Sequence, residues 1–229
     1  MSGHPERRGR PNALVLGGGS KDPLADGHNV ATKALIPVAG RSMAWHVLSA
    51  LRGSGGIGRI TYVGPTTPEV DDLIDARLPD AGSLLANVEA GLRAEPPGAR
   101  LLVATADVPM ISPAAVRDLL ERDPGAAVVY PVVTAEASER DFPGGRRTFA
   151  RLRDGRFTGG NLFFVDREVV LRALPQLKLM IERRKNPLAM AQVIGLLTLA
   201  RLLVGRLSIA ELEVLRLVHV SSDAGVVGD

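Results

Sequence analysis

A run of small residues, Gly17-Gly18-Gly19-Ser20-Lys21, follows directly on an apolar stretch, and two charged residues, Lys33 and Asp107, stand farther along. After the first strand of an α/β sheet, such a turn lets backbone N–H groups come close to a phosphate, because glycine has no Cβ to hold the ligand off. A plain tight turn would call for the same residues. Two familiar phosphate loops are excluded. No Gly-Lys-Ser/Thr stands four residues past the first glycine, and the dinucleotide fingerprint meets Asp22 where its third glycine belongs. The stretch ending in Val63-Gly64-Pro65 also lacks the acid that would hold a ribose. Asp107, in Ala104-Thr105-Ala106-Asp107-Val108-Pro109, leaves an apolar strand at the sheet edge where open α/β folds bind ligands. A carboxylate there suits magnesium, which takes one or two of them and fills its shell with phosphate oxygens and water. It would also serve as an ordinary turn or capping residue.

The choice of cation is uneven. Of 28 basic residues only Lys21, Lys33, Lys178 and Lys185 are lysine, and the rest are arginine. Lysine brings a compact point charge where arginine brings a planar fork, so two lysines close to the glycine run suit an anionic ligand, although so small a sample also fits chance. The four histidines, His4, His28, His46 and His219, show no metal-pair or nucleophile spacing. With no cysteine in the chain, disulfides, thiolate metal sites and cysteine nucleophiles are excluded, and any metal has to sit on oxygen or imidazole.

These residues need a scaffold to converge. At 229 residues with 45% apolar side chains, the chain can bury one substantial core. Apolar runs at 12–16, 59–63, 100–104, 126–130 and 161–165 read as buried strands. Between them, 42–51, 82–92 and 113–122 carry apolar residues at three- and four-residue intervals, and Ser112-Pro113 marks a helix start. This alternation predicts an α/β fold with a doubly wound, mostly parallel sheet. From Asp166 onward the pattern turns helical, at 168–184, 187–204 and 208–217. The expected organisation is a disordered lead-in over 1–11, an α/β core over 12–168, and a helical extension with a return strand over 169–229, within one compact unit.

The charge of +3 and an aromatic content of 3% leave few stacking platforms for single-stranded nucleic acid, so no nucleic-acid partner is expected. The lead-in has no apolar core of signal-peptide length, which favours the cytoplasm. The apolar stretch 188–204 is short of a membrane span and contains Gln192 and Arg201, so burial in the protein or in a homodimer is expected over contact with lipid.

The glycine loop followed by Lys33-Ala34-Leu35-Ile36-Pro37-Val38-Ala39-Gly40-Arg41-Ser42-Met43 resembles the MobA-like nucleotidyltransferases, relatives of molybdenum-cofactor guanylyltransferase and the sugar-1-phosphate nucleotidyltransferases. The resemblance covers about Asn12 to Asp166. It implies a Rossmann-like, GT-A-type fold and transfer of a nucleoside monophosphate from an NTP to a small phosphorylated acceptor, with release of pyrophosphate. It further implies that Leu16, Gly17, Gly18, Gly19, Ser20, Lys21 and Lys33 hold the nucleotide, with Lys33 neutralising the triphosphate, and that Asp107 holds Mg2+. The family arginine a few residues past the glycines is missing, and Lys21 is the residue that could replace it. Gly82-Ser83 resembles the pair that opens a helix beside the base, though Ser83 would serve equally as a helix cap. Thr158, Gly160 and Asn161 resemble the strand that meets the acceptor, where glycines also make ordinary bulges. Asp229 is the counterpart of a second metal carboxylate that relatives supply from a late strand. An acceptor phosphate is already anionic near neutral pH and can attack without a general base, which suits the scarcity of histidine. Two rivals stand beside this reading. A nucleotide-sugar glycosyltransferase would usually show Asp-x-Asp, where Asp107 is followed by Val-Pro, and a non-catalytic nucleotide-binding domain would release no pyrophosphate.

Overall fold

The computed structural model describes residues 9–19, 22–145, 147–183 and 208. They fall into two compact units, 1–122 and 123–229. The first is built on a parallel sheet. Strand β1 (Asn12–Leu16) leads into a short helix, α1 (Pro23–Gly27), then a 3-10 turn (Lys33–Leu35) and a small hairpin of β2 (Pro37–Val38) and β3 (Arg41–Ser42). Helix α2 (Met43–Gly53), strand β4 (Ile60–Val63), helix α3 (Pro68–Asp71), strand β5 (Ala76–Leu78), helix α4 (Leu84–Ala94), strand β6 (Arg100–Thr105) and helix α5 (Pro113–Glu121) follow. The strands lie in the order β5-β4-β1-β6, all parallel.

β1 is central and nearly without exposed surface, with Ala13, Leu14 and Val15 at 0% exposure, which is why its run is apolar without alternation. Leu48, Leu51, Ile60, Val63, Leu92, Leu101 and Val103 are among the residues that share this core. Polar groups are built into it as well. The buried Glu95 carboxylate, just past α4, accepts hydrogen bonds from Asn12 Nδ2 at 2.6 Å and Thr61 Oγ1 at 2.7 Å, tying the helix end to β1 and β4.

The helices start where capping chemistry says they should. Ser42, Ser83 and Ser112 each accept from the backbone N–H three residues on, and Pro113 occupies the first turn of α5. The β2–β3 hairpin turns on Ala39 and Gly40, both at positive φ (50° and 82°), the conformation a two-residue hairpin turn of matching twist requires. Glu69 then accepts from Arg41 at 2.8 Å and from Ser42 N and Oγ at 3.1 and 2.9 Å, which fixes the approach to α2.

In the second unit, β7 (Val128–Val129) pairs antiparallel with β11 (Leu162–Asp166), and β8 (Val132–Thr134), β9 (Ala150–Leu152) and β10 (Gly155–Gly159) form an antiparallel sheet in the order β8-β10-β9. Helix α6 (Ala135–Asp141) packs on β8 and β10, and α7 (Arg167–Arg183) follows β11. The single strand expected over 126–130 is shorter than its apolar run, because Tyr130-Pro131 separates β7 from β8. The helices expected at 187–204 and 208–217 lie outside the described residues, apart from Ser208, as does the proposed burial of 188–204. Among the described residues, no helix is long and apolar enough to cross a membrane.

Candidate active site

Parallel strands deliver their exits to one edge of a sheet, and that geometry assembles the site. Leu16 pairs in register with Thr105, and Ala106 N donates to Leu16 O at 3.0 Å. The glycine loop leaving β1 and the Asp107 turn leaving β6 therefore emerge side by side, at the C-terminal edge.

The glycine loop is fixed from below and from one side. Gly17 and Gly18 N–H both donate to Val63 O at 2.9 Å. A Cβ at Gly17 would run into the hydroxyl of Tyr62, a fully buried ring whose Oη donates to Pro65 O at 3.2 Å. A Cβ at Gly18 would meet the Asp80 carboxylate. That carboxylate accepts from Gly19 N at 2.9 Å, from Gly82 N at 2.9 Å and from Asn87 Nδ2 at 3.0 Å. Asn87 is itself completely buried and accepts from Ala81 N through its Oδ1 at 2.6 Å. Burial works against the charged form of Asp80, but the hydrogen bonds from Gly19, Gly82 and Asn87 outweigh it and hold its carboxyl below the usual range. Of the three glycine N–H groups, the one on Gly19 thus has an anion as its partner.

Lys33 opens the 3-10 turn, which packs against α1 and α2. Its Nζ lies between two carboxylates, 3.3 Å from Asp22 Oδ2 and 3.5 Å from Asp107 Oδ2. Partial burial disfavours the ammonium, yet the Asp22 hydrogen bond and the charges of Asp107 and Asp22 outweigh it, so the Lys33 pKa is raised. Asp22 caps α1 through Oδ1, which accepts from Leu24 N at 2.9 Å. That hydrogen bond first, and Lys33 second, hold the Asp22 carboxyl below the usual range.

Most of the residues singled out in the sequence can be placed. Leu16, Gly17, Gly18, Gly19, Lys33, Gly82, Ser83 and Asp107 all lie in the first unit. Gly82 takes a positive φ of 84°, and the Ser83 hydroxyl caps α4 by accepting from Ala86 N at 3.2 Å. Thr158 sits in β10 paired with Val133, Gly160 N donates to Pro131 O at 3.0 Å, and Asn161 precedes β11, all in the second unit. Ser20, Lys21 and Asp229 lie outside the described residues.

Two residues escaped the sequence reading. Asp22 was visible only as a fault in the dinucleotide pattern, although Asp-Pro is a helix-start signal. Asp80 precedes Gly82 by two, the spacing of a turn in which an aspartate caps its own backbone.

The arrangement suits a divalent cation held mainly by its ligand. Among the described residues no three His, Asp or Glu side chains cluster as a closed metal site. A magnesium ion on a triphosphate needs only one or two protein carboxylates, and Asp22 and Asp107 already hold a cation, the Lys33 ammonium, between them.

The model of the MobA-like NTP transferase domain family matches residues 13–193. A solved structure described as a hypothetical transferase from Thermus thermophilus is 42% identical, with a TM-score of 0.83 over 96% of this chain and 97% of its own. More distant structures share the fold. The 4-diphosphocytidyl-2C-methyl-D-erythritol synthase of Anaerococcus prevotii has 12% identity and a TM-score of 0.56 over 95% of this chain and 89% of its own. A CMP:2-keto-3-deoxy-manno-octonic acid synthetase complexed with CTP has 17% identity and a TM-score of 0.50 over 94% and 92%. No curated protein matches the chain. The match over most of the chain settles its kinship: the protein belongs to the MobA-like NTP transferase family, a family of nucleotidyltransferase type.

Proposed function

We propose that this protein is a magnesium-dependent nucleotidyltransferase that moves a nucleoside monophosphate from an NTP onto a small phosphorylated acceptor in the cytoplasm. The observation that carries the reading is the Lys33 ammonium held between Asp22 and Asp107, the latter on a turn that leaves the sheet next to the glycine loop. An acceptor phosphate oxygen forms a new bond to the α-phosphorus, the bond between that phosphorus and the α,β-bridging oxygen breaks, and pyrophosphate leaves with the electron pair. Negative charge accumulates on the leaving group, and Lys33 is the cation this chain supplies to meet it. Asp107 would hold the magnesium ion, which neutralises phosphate charge when bound with the nucleotide. Asp229 is the second carboxylate the resemblance implies. At the glycine loop, an arriving anion has to exchange with the Asp80 carboxylate at Gly19 N–H.

Gly82 and Ser83 stand at the start of α4 as the segment assigned to the base, and Thr158, Gly160 and Asn161 are assigned to the acceptor by the family resemblance. The test is pyrophosphate release from each of the four NTPs with Mg2+ and a panel of sugar phosphates, polyol phosphates and phosphorylated carboxylic acids. Release that requires both metal and acceptor supports the reading. NTP binding without release under every combination points instead to a nucleotide-binding domain without turnover.

A further inference from the structure

Lys33 faces two acids, and the proposed mechanism gives the metal to Asp107 and no step to Asp22. Its carboxylate is not a loose surface acid. Oδ1 is pinned by Leu24 N at 2.9 Å, Pro23 fixes the first turn of α1, and α1 packs on the 3-10 turn that carries Lys33. Oδ2 therefore stands in a set place, 3.3 Å from Nζ, while Asp107 Oδ2 is 3.5 Å from the same nitrogen. A single ammonium shared by two carboxylates neutralises neither fully. Without Asp22, the amine would have Asp107 as its remaining anionic partner among the two, and the carboxylate that the proposed mechanism needs for the metal would be engaged by a tethered competitor.

We infer that Asp22 is a positioning residue that draws the Lys33 ammonium away from Asp107, and so keeps the Asp107 carboxylate open to the divalent cation of the nucleotide. The inference rests on the nucleotidyltransferase reading of the site. Asp22 touches no reacting atom in this scheme and acts only through Lys33.

Asparagine at position 22 separates this role from the helix cap. It caps as well as aspartate does and carries no charge, so Asp22→Asn retains the α1 start and loses the hold on Lys33. The measurement is equilibrium binding of ATP, CTP, GTP and UTP in turn, titrated with Mg2+, to the full chain of the wild type, Asp22→Asn, Lys33→Ala and the double variant. Because the Lys33 and Asp22 side chains are 41% and 31% exposed, the pair is of the weak surface kind, and the Mg2+ concentration at half-maximal binding should rise about threefold to fivefold in Asp22→Asn. In the Lys33→Ala background the same substitution should change nothing, since its path runs through the amine. Asp22→Ser, which also caps without charge, replaces Asp22→Asn if that variant melts early. An unshifted Mg2+ midpoint, or a shift that persists without Lys33, overturns the inference and leaves the nucleotidyltransferase reading standing. A wild type that binds none of the four nucleotides overturns that reading, and the inference with it.

Discussion

The glycine loop and the lysine turn meet at the same sheet edge, yet they are held there by different physics. The loop is over-determined. One carbonyl takes two of its N–H groups, a buried tyrosine fills the space under Gly17, and Asp80, oriented by the buried Asn87, takes the third N–H. The lysine turn places its functional group through two ion pairs at 3.3 and 3.5 Å whose members are a third or more exposed, or nearly so. Exposed pairs of that kind contribute little to stability and exchange partners easily. Gly17, Gly18 and Gly19 thus form a braced wall, whereas the amine is held only by exposed ion pairs, from which the proposed mechanism has it move onto a phosphate. Substitutions in the two places should fail differently, in turnover for the charges and in folding for the wall.

The largest effect is expected at Asp107. Asp107→Asn retains the size of the side chain and loses the charge that would anchor magnesium, so turnover should fall by about 10³-fold or more with the melting temperature unchanged. Steady-state pyrophosphate release and a thermal melt on the same preparation check both halves, and wild-type activity in the variant would remove the metal role. Lys33→Ala comes next. A loss of about 3 kcal/mol of transition-state stabilisation, read from kcat/KM, is the cost of deleting one preorganised charge-stabilising group. Lys21→Ala should cost less, and the reverse order would break the alignment of the loop with its family.

On the wall the sign of the comparison changes. Gly17→Ala drives a Cβ into the Tyr62 hydroxyl, which is buried and bonded to Pro65 O, so folding stability should drop by about 1–3 kcal/mol, as overpacking commonly does. Chemical denaturation measures it, and a variant as stable as the wild type would show that the loop is softer than its packing implies. The smallest effect concerns Asp80. Its folded pKa is depressed, so its contribution to stability is present above the unfolded value of about 3.9 and is lost as pH falls through the folded value. Denaturation midpoints should therefore decline below about pH 4, and Asp80→Asn should flatten that acid limb; an unchanged limb would show that Asp80 does not brace the loop.

The elements themselves were open to sequence reasoning where burial was uniform. The strand at 12–16 and the helix starts at Ser42 and Ser112 follow from apolar runs and capping residues, and they form within a residue or two of where those signals put them. Short pieces were not open to it. Helix α1, the hairpin at Pro37–Val38 and Arg41–Ser42, and strands β8, β9 and β10 span two to five residues each, too few for a period to declare itself. The hairpin is legible only afterwards, from an alanine and a glycine at positive φ.

For the site, residue type and order in the chain make Gly17, Lys33 and Asp107 candidates for phosphate and metal chemistry, because each stands at the end of a strand or in a motif that the family resemblance also picks out. Partnership was a tertiary matter. Lys33 lies eleven positions after Asp22 and far more before Asp107, and no local signal says which acid it meets; the parallel register of β1 with β6 and the packing of α1 on the 3-10 turn make it both. The same holds for Asp80, which reaches Gly19 from 61 residues away. A side chain's type is written in the sequence, but the distance between two charges is set by how strands are ordered in a sheet, and at these separations that distance decides whether a carboxylate caps a helix, braces a loop or holds a cation.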